Sequence, residues 1–425
     1  MQYINSFESE VRACCRIFPV VFKSALGYEI FDEAGKRYID FFCAAGSLAY
    51  GHNHPQILDL LRHHIDKNGI VNSLDMATLE KEDFIKNFHD KILLPRSYQY
   101  KFQFCSPSGA NVVEAACKIA RKMTGRQPIV SFTNAFHGMS LGALSLSGSR
   151  FKRSGAGVGL YNTYFMPYDN YFGSDIDTIS LIDKLFSDAG SGYNLPAAFI
   201  VETIQGEGGL NKASDEWLLR LQDLAQKYDA LLIIDDIQAG CGRTGQFFSF
   251  EHLTELNPDI ICLSKALSGL GLPMSLLLLK EHLDVWKPGE HNGTFRGNNY
   301  AFVTAQGVIN LWNNIEFVSE TNKISKLFDT LLENLSHSFN EGERPMTKGL
   351  GFIRGLEWEN PKTAYKVALE CFKRGLLVET SGAEKQVLKL LPPLIITELA
   401  LKEAISILKE SIVIVLEKDK DLVCE

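Results

Sequence analysis

Asp235 and Asp236 close the apolar run of LLIIDDIQAGCGRTG, residues 231–245. Four apolar residues in a row suit a strand covered on both faces. A carboxylate at its C-terminal end then lies on the rim where open α/β sheets bind ligands. Such an acid can close a turn, hold magnesium in a nucleotide hydrolase, or pair with a cationic ligand. The magnesium reading needs a phosphate loop GxxxxGK[ST], which the chain lacks. Two-residue alternation points the pair to opposite faces. Asp235 is therefore the candidate ligand, and Asp236 is left to a turn or an ion pair.

Lys265 in DIICLSKALSGLGLP, residues 259–273, also follows an apolar run, flanked by Ser264, Ala266 and Ser268. Most lysines are solvated. One at the end of a buried strand is partly desolvated, and its amine becomes a nucleophile toward aldehydes. In FCSPSGANVVEAACKIARKMTG, 104–125, a strand runs into an amphipathic helix with Val112, Ala116, Ile119 and Met123 on one face and Gly125 as its stop. The free N–H groups of Gly109 and Ala110, with the Ser108 hydroxyl, form an anion site at its start. Phe136-His137-Gly138 follows another strand and sets an aromatic where a flat ring could stack. The glycine cluster SGAGVGLY, 154–161, lacks the preceding apolar strand of a dinucleotide loop.

These parts meet the needs of one cofactor, pyridoxal 5'-phosphate. Its phosphate takes a helix start, its ring an aromatic, its aldehyde a lysine, and its protonated pyridine nitrogen a buried carboxylate. Asp235 is the residue for that nitrogen.

The elements that must position these groups are legible in outline. A hairpin is expected around Glu33-Ala34-Gly35, a helix from Pro55 to about 67 with Ile57, Leu58, Leu61 and Ile65 on one face, and a helix over 78–93. Strands near 100–105, 128–132, 197–202, 230–235, 259–264 and 274–279 alternate with helices, including 109–124 and 214–228. That alternation implies an α/β fold with a mostly parallel sheet. After about 315 a long helix, strands near 352–358, 376–380 and 387–391, and a closing helix over 397–416 read as a smaller α+β domain. The expected division is an N-terminal segment 1–54 joining the small domain, a large domain 55–314 and a C-terminal domain 315–425.

With 425 residues, 45% hydrophobic and 22% charged, the chain has the composition of a globular protein, and its net charge of −8 argues against nucleic acid or anionic membrane as partner. No apolar run reaches the length of a membrane span, and the start lacks the pattern of a signal peptide. Nine cysteines without a CxxC pair suggest reduced thiols in the cytoplasm. His52 and His54 in GHNHP read as turn and helix-start residues, and no metal site is expected.

GHNHP, SPSGANVVEAACKIAR, FHG, ETIQGEGG, DDIQAGCGRTG, SKALSGLGLP, GTFRGN and VLKLLPPL resemble, in order and over almost the whole length, the class III aminotransferases, which are fold type I pyridoxal phosphate enzymes. GEHNGTFRGNNYAFVTA and FHGMSLGALSLSG are most similar to the branch acting on diaminobutyrate and 2-oxoglutarate, found in ectoine and related pathways. The resemblance implies a homodimer, with a tetramer left open, and small amino and oxo acids as substrates. It implies that Gly109 and Ala110 cradle the phosphate, Phe136 stacks on the ring, Gln238 approaches the ring hydroxyl, and Thr294 reaches the phosphate of the neighbouring subunit. It places Lys265 as the lysine that carries the cofactor, and Glu207 against Lys389 as a pair that masks a cation. Three positions depart from the ornithine-type pattern: Met139 and Lys389 stand where arginines are usual, and Ala45 where a tyrosine is. The expected reaction moves an amino group between L-glutamate and aspartate 4-semialdehyde. Another ω-amino acid aminotransferase, an aminomutase on the same parts, or a silent cofactor-shaped subunit stay open.

Overall fold

The structure is a computed structural model that describes residues 1–423. Its centre is a seven-stranded sheet in the spatial order Lys101–Phe104, Leu276–Leu279, Ile260–Leu263, Leu231–Asp235, Ala198–Val201, Ile129–Phe132, Thr163–Met166. The last five are mutually parallel, and Leu276–Leu279 runs antiparallel to both neighbours. Every residue of Ile129–Phe132, Ala198–Val201, Ile260–Leu263 and Leu276–Leu279 is buried, as continuous apolar runs predict for strands covered on both faces. Because the parallel strands point the same way, their C-terminal ends share one rim. The residues just beyond them are brought together whatever their separation in sequence.

The predicted elements are present, with differences that have local causes. The helix Pro55–Asp66 buries Ile57 and His64 instead of a stripe through Ile65, which is 48% exposed. His64 bonds the Ile70 carbonyl at 3.1 Å through Nε2, which ties the following turn to the helix. The helix Leu79–Phe88 continues through a wider turn, His89–Leu93, before Leu94–Arg96. Several strands escape the apolar-run rule, among them Phe22–Leu26. Thr163–Met166 lies at the sheet edge and is mostly half-buried, and Met346–Leu350 is half-exposed.

Met346–Leu350, Ile353–Glu357, Val387–Leu390 and Glu379–Ser381 form an antiparallel sheet in which Lys389 lies directly opposite Glu379. The N-terminal strands Phe22–Leu26, Glu29–Asp32 and Arg37–Asp40 pair with Leu376–Leu377, so the two ends of the chain share a sheet. Arg243, fully buried, donates to the carbonyls of Pro392 at 2.6 Å and Gly46 at 3.4 Å, and so joins three distant segments. Six cysteines, at 43, 105, 117, 241, 262 and 371, are buried free thiols, and Cys424 lies outside the described residues. Among the described residues no helix is long and apolar enough to cross a membrane.

Candidate active site

The shared rim opens on a cavity of 170 Å³ lined by Gly109, Ala110, Phe136, His137, Gly138, Glu202, Glu207, Asp235, Ile237, Gln238 and Lys265. Eight of the eleven site residues named from the sequence are therefore in one place. The other three, Ser108, Thr294 and Lys389, are not in the wall.

Asp235 ends its strand only 4% exposed. Its Oδ2 accepts a hydrogen bond from His137 Nδ1 at 2.6 Å, and its Oδ1 accepts one from the Ile237 amide at 3.2 Å. An ionised carboxylate offers about four acceptor positions, so it can take a further donor from the cavity. Burial alone would keep His137 neutral. The bond to Asp235 overrides it and raises the imidazole above its ordinary value. His137 Nε2 is buried with no partner among the described residues, which suits it to a polar ligand atom. Asp236 turns to the other side, fully buried, where Oδ2 accepts the Ser249 amide at 3.2 Å. Of the two roles expected for it, the structure shows turn bonding and no ion pair among the described residues. Burial pushes it up to about 7.

Lys265 opens the short turn Lys265–Ser268 with φ +45°, a conformation a side-chain-bearing residue rarely takes. It aims the amine at the cavity. Desolvation lowers the amine's pKa, with Lys389 adding to the effect and Glu207, Glu379 and Asp235 opposing it. No hydrogen bond or ion pair holds Nζ among the described residues.

The helix Gly109–Thr124 starts at the cavity. Ser108 caps it, its Oγ accepting the Asn111 amide at 3.2 Å, so the hydroxyl serves the helix and the residue faces solvent. The first amides remain free to meet an anion. Gly138 is required where it is: a Cβ there would sit 2.7 Å from the Cβ of Ala110, at φ +132°. Thr294 is exposed, its carbonyl accepting from Asn72 Nδ2 at 3.1 Å, in a loop whose Gly293 abuts Ser106.

Two acids were not foreseen. Glu202 follows the strand Ala198–Val201 as Asp235 follows its own apolar run, and accepts the amides of Phe136 at 3.0 Å and Gly206 at 3.2 Å. Burial, reinforced by Asp235, pushes it up to about 7. The same apolar-run-then-acid pattern, AFIVE, was the signal available for it. Glu379 is the second. Lys389 is fully buried with Nζ 2.7 Å from Glu207 Oε1 and 2.9 Å from Glu379 Oε1. Burial pushes Glu207 up, yet Lys389, with Lys265 behind it, holds it down to about 2.

The class-III aminotransferase family model matches residues 13–412. The chain is a class-III aminotransferase. A diaminobutyrate–2-oxoglutarate transaminase of Halalkalibacterium halodurans is 48% identical over all of this chain and 99% of that one. One of Streptomyces anulatus is 49% identical over 95% of this chain and 96% of its own. An uncharacterised aminotransferase of Sinorhizobium fredii is 50% identical over 96% and 91%. The fold matches the ornithine aminotransferase of Toxoplasma gondii with a TM-score of 0.85 at 24% identity, covering 98% of this chain and 95% of that one.

The aminotransferase thus uses pyridoxal phosphate, and its cavity fits that group. Free amides at a helix start suit the phosphate, and the carboxylate beside His137 suits a protonated ring nitrogen. Phe136 and Ile237 both line the wall for the flat ring, and an unpartnered amine stands within it. When bound, the cofactor supplies an electron sink for the reacting carbon.

Proposed function

We propose that the enzyme exchanges an amino group between L-2,4-diaminobutyrate and 2-oxoglutarate, giving L-aspartate 4-semialdehyde and L-glutamate. The Lys389 ammonium held between Glu207 and Glu379 carries the pairing of glutamate with an ω-amine, and the relatives' names carry diaminobutyrate among the ω-amines. Glutamate carries a carboxylate on its reacting carbon, whereas the γ-carbon of diaminobutyrate carries none. One site must offer a cation to the first substrate and hide it from the second. Glu207 hides Lys389 when paired; when it turns away, Lys389 keeps Glu379 and has an N–H free for a substrate carboxylate. The names of the two diaminobutyrate relatives support the same substrates.

In this reading Gly109 and Ala110 hold the phosphate, Phe136 and His137 contact the ring, and Gln238 reaches the ring hydroxyl. Asp235 keeps the ring nitrogen protonated. Lys265 Nζ takes the proton from the reacting carbon and returns it on the far side of the transferred nitrogen, a 1,3-shift suited to an amine with a lowered pKa. The enzyme works as a homodimer in the cytoplasm, with Thr294 completing the phosphate site of the second copy. Exposed Phe295, Ile70 and Val71 near that loop support such a contact.

The test is purified enzyme supplied with 2-oxoglutarate and a panel of amines, reading glutamate formed. Diaminobutyrate is expected to exceed ornithine and γ-aminobutyrate by roughly tenfold or more in kcat/KM, one ordinary recognition contact's worth. Ornithine in the lead would make this another ω-amino acid aminotransferase. Isomerisation without any oxo acid would make it an aminomutase.

A second expectation concerns the paired cation. Lys389→Met should slow the glutamate half-reaction about 10- to 100-fold more than the diaminobutyrate half-reaction, because it removes a charged hydrogen bond from one substrate only. Glu207→Gln should do the reverse. The ratio of the two single-turnover rates is the quantity to compare, since breaking a buried pair also costs about 3–5 kcal/mol of stability. Equal losses in both half-reactions exclude the masking role.

A further inference from the structure

Lys152 stands beside the cavity and has no counter-ion among the described residues. It lies in the short helix Arg150–Ser154, started by Ser149, whose Oγ accepts the Lys152 amide. Its Nζ rests 4.0 Å from the centroid of the Phe136 ring, and Phe136 lines the cavity. Among the described residues that ammonium makes no hydrogen bond and no ion pair. Its neighbour differs. Arg153 donates to the carbonyls of Leu144, Ser145 and Ser147 at 3.2, 2.9 and 3.2 Å, which pins the helix and fixes where Lys152 emerges. Two other ammonium groups act on Glu207 in the cavity wall, and both are committed. Lys265 is the attachment amine, Lys389 is paired twice, and Arg243 is buried on two carbonyls. Met139, next to Gly138, brings no charge. A half-buried cation stacked on an aromatic and close to a pocket of negative ligands is stabilised by the ring, and it remains free to take a carboxylate. Its field already reaches Glu207 in the cavity wall.

The substrates supply the matching chemistry. In diaminobutyrate the reacting γ-carbon is separated by three bonds from the carbon of the α-carboxylate. In glutamate the reacting α-carbon is separated by three bonds from the carbon of the side-chain carboxylate. With the reacting carbons superposed, both molecules present a carboxylate at the same reach. Glutamate alone adds one on the reacting carbon itself. One remote cation can therefore serve both half-reactions, while Lys389 serves only one.

We propose that Lys152 Nζ binds the carboxylate remote from the reacting carbon in both diaminobutyrate and glutamate, and the corresponding carboxylate of 2-oxoglutarate. The assignment rests on the diaminobutyrate reading above. It makes Lys152 a shared specificity residue: amines without a carboxylate at that reach lose its contribution.

The test uses the cofactor-loaded enzyme and its Lys152→Gln and Lys152→Arg variants. Calorimetric titration with glutarate, an unreactive dicarboxylate of the same length as 2-oxoglutarate, is expected to show affinity falling roughly 10- to 100-fold in Lys152→Gln and recovering in Lys152→Arg. KM for diaminobutyrate and for 2-oxoglutarate should rise by a similar factor, with kcat changed far less. Cofactor content, read from visible absorbance after gel filtration, should stay unchanged. Unaltered glutarate affinity overturns the proposal, as does a KM effect confined to one substrate. Cofactor loss in Lys152→Gln also overturns it, since Lys152 would then act only by holding Phe136. Wild-type enzyme that uses 2-oxoglutarate with some other amine, yet ignores diaminobutyrate, refutes the substrate reading separately. The glutarate titration still decides Lys152.

Discussion

Lys265→Ala enzyme is expected to fold normally and lose turnover by a factor on the order of 10⁴ or more, since both a covalent anchor and a proton carrier disappear together. The amine it removes stands alone in the cavity with a lowered pKa, caused first by desolvation. Lost packing is small, because the residue is only half-buried and no hydrogen bond or ion pair of Nζ is broken among the described residues. Thermal unfolding should therefore shift little. Borohydride reduction of the wild type should fix the cofactor to the peptide carrying Lys265, detectable by mass, whereas the variant should release it on denaturation. Small added amines should restore part of the proton transfer but not the anchor. Substantial turnover of the variant without added amine would remove Lys265 from the mechanism.

The residues legible in the sequence were those whose position follows from one strand alone. Asp235 and Lys265 each follow an apolar run, and parallel strands must end on one rim, so their meeting needed no knowledge of register. The helix start at Gly109 was equally local. Residues that depend on cross-strand pairing or on a partner brought from elsewhere were hidden. Glu379 meets Lys389 because the two lie opposite each other in an antiparallel ladder, and nothing in their spacing announces that register. Lys152 sits in a polar stretch that reads as a solvated surface, and only the fold lays it on Phe136. His64 replaced Ile65 on the buried face of its helix because a polar side chain with a carbonyl partner can be buried at little cost. The edge strand Thr163–Met166 lacked the apolar run for a related reason: its position at the edge of the sheet leaves it half solvated.

Asp235→Asn enzyme is expected to keep its shape and lose roughly 10³-fold in kcat, the scale seen when one preorganised electrostatic group is removed from a buried site. Asparagine fills the same volume, but it replaces a charge by a dipole. Asp235 Oδ2 now accepts from His137 Nδ1 and its charge raises the imidazole pKa. With a neutral amide in place of that carboxylate, burial is left as the dominant influence and the histidine becomes easier to deprotonate. The nearby Glu202 is tied to the Phe136 and Gly206 amides and does not take the place of the Asp235 charge. The ring nitrogen then loses its counter-ion and its proton, and with them most of the electron-withdrawing power the reaction needs. A cofactor analogue methylated at that nitrogen carries its charge permanently, so it should recover a large share of the lost rate in Asp235→Asn and none in Lys265→Ala. Asp236→Asn provides the control. Its carboxyl faces the Ser249 amide on the far side of the strand end and is itself pushed up to about 7 by burial, so the neutral side chain costs the reaction less than about tenfold. Steady-state kcat for the two variants, with and without the methylated analogue, separates the roles. Equal losses at the two positions, or no recovery with the permanent charge, would contradict the assignment of Asp235 to the ring nitrogen.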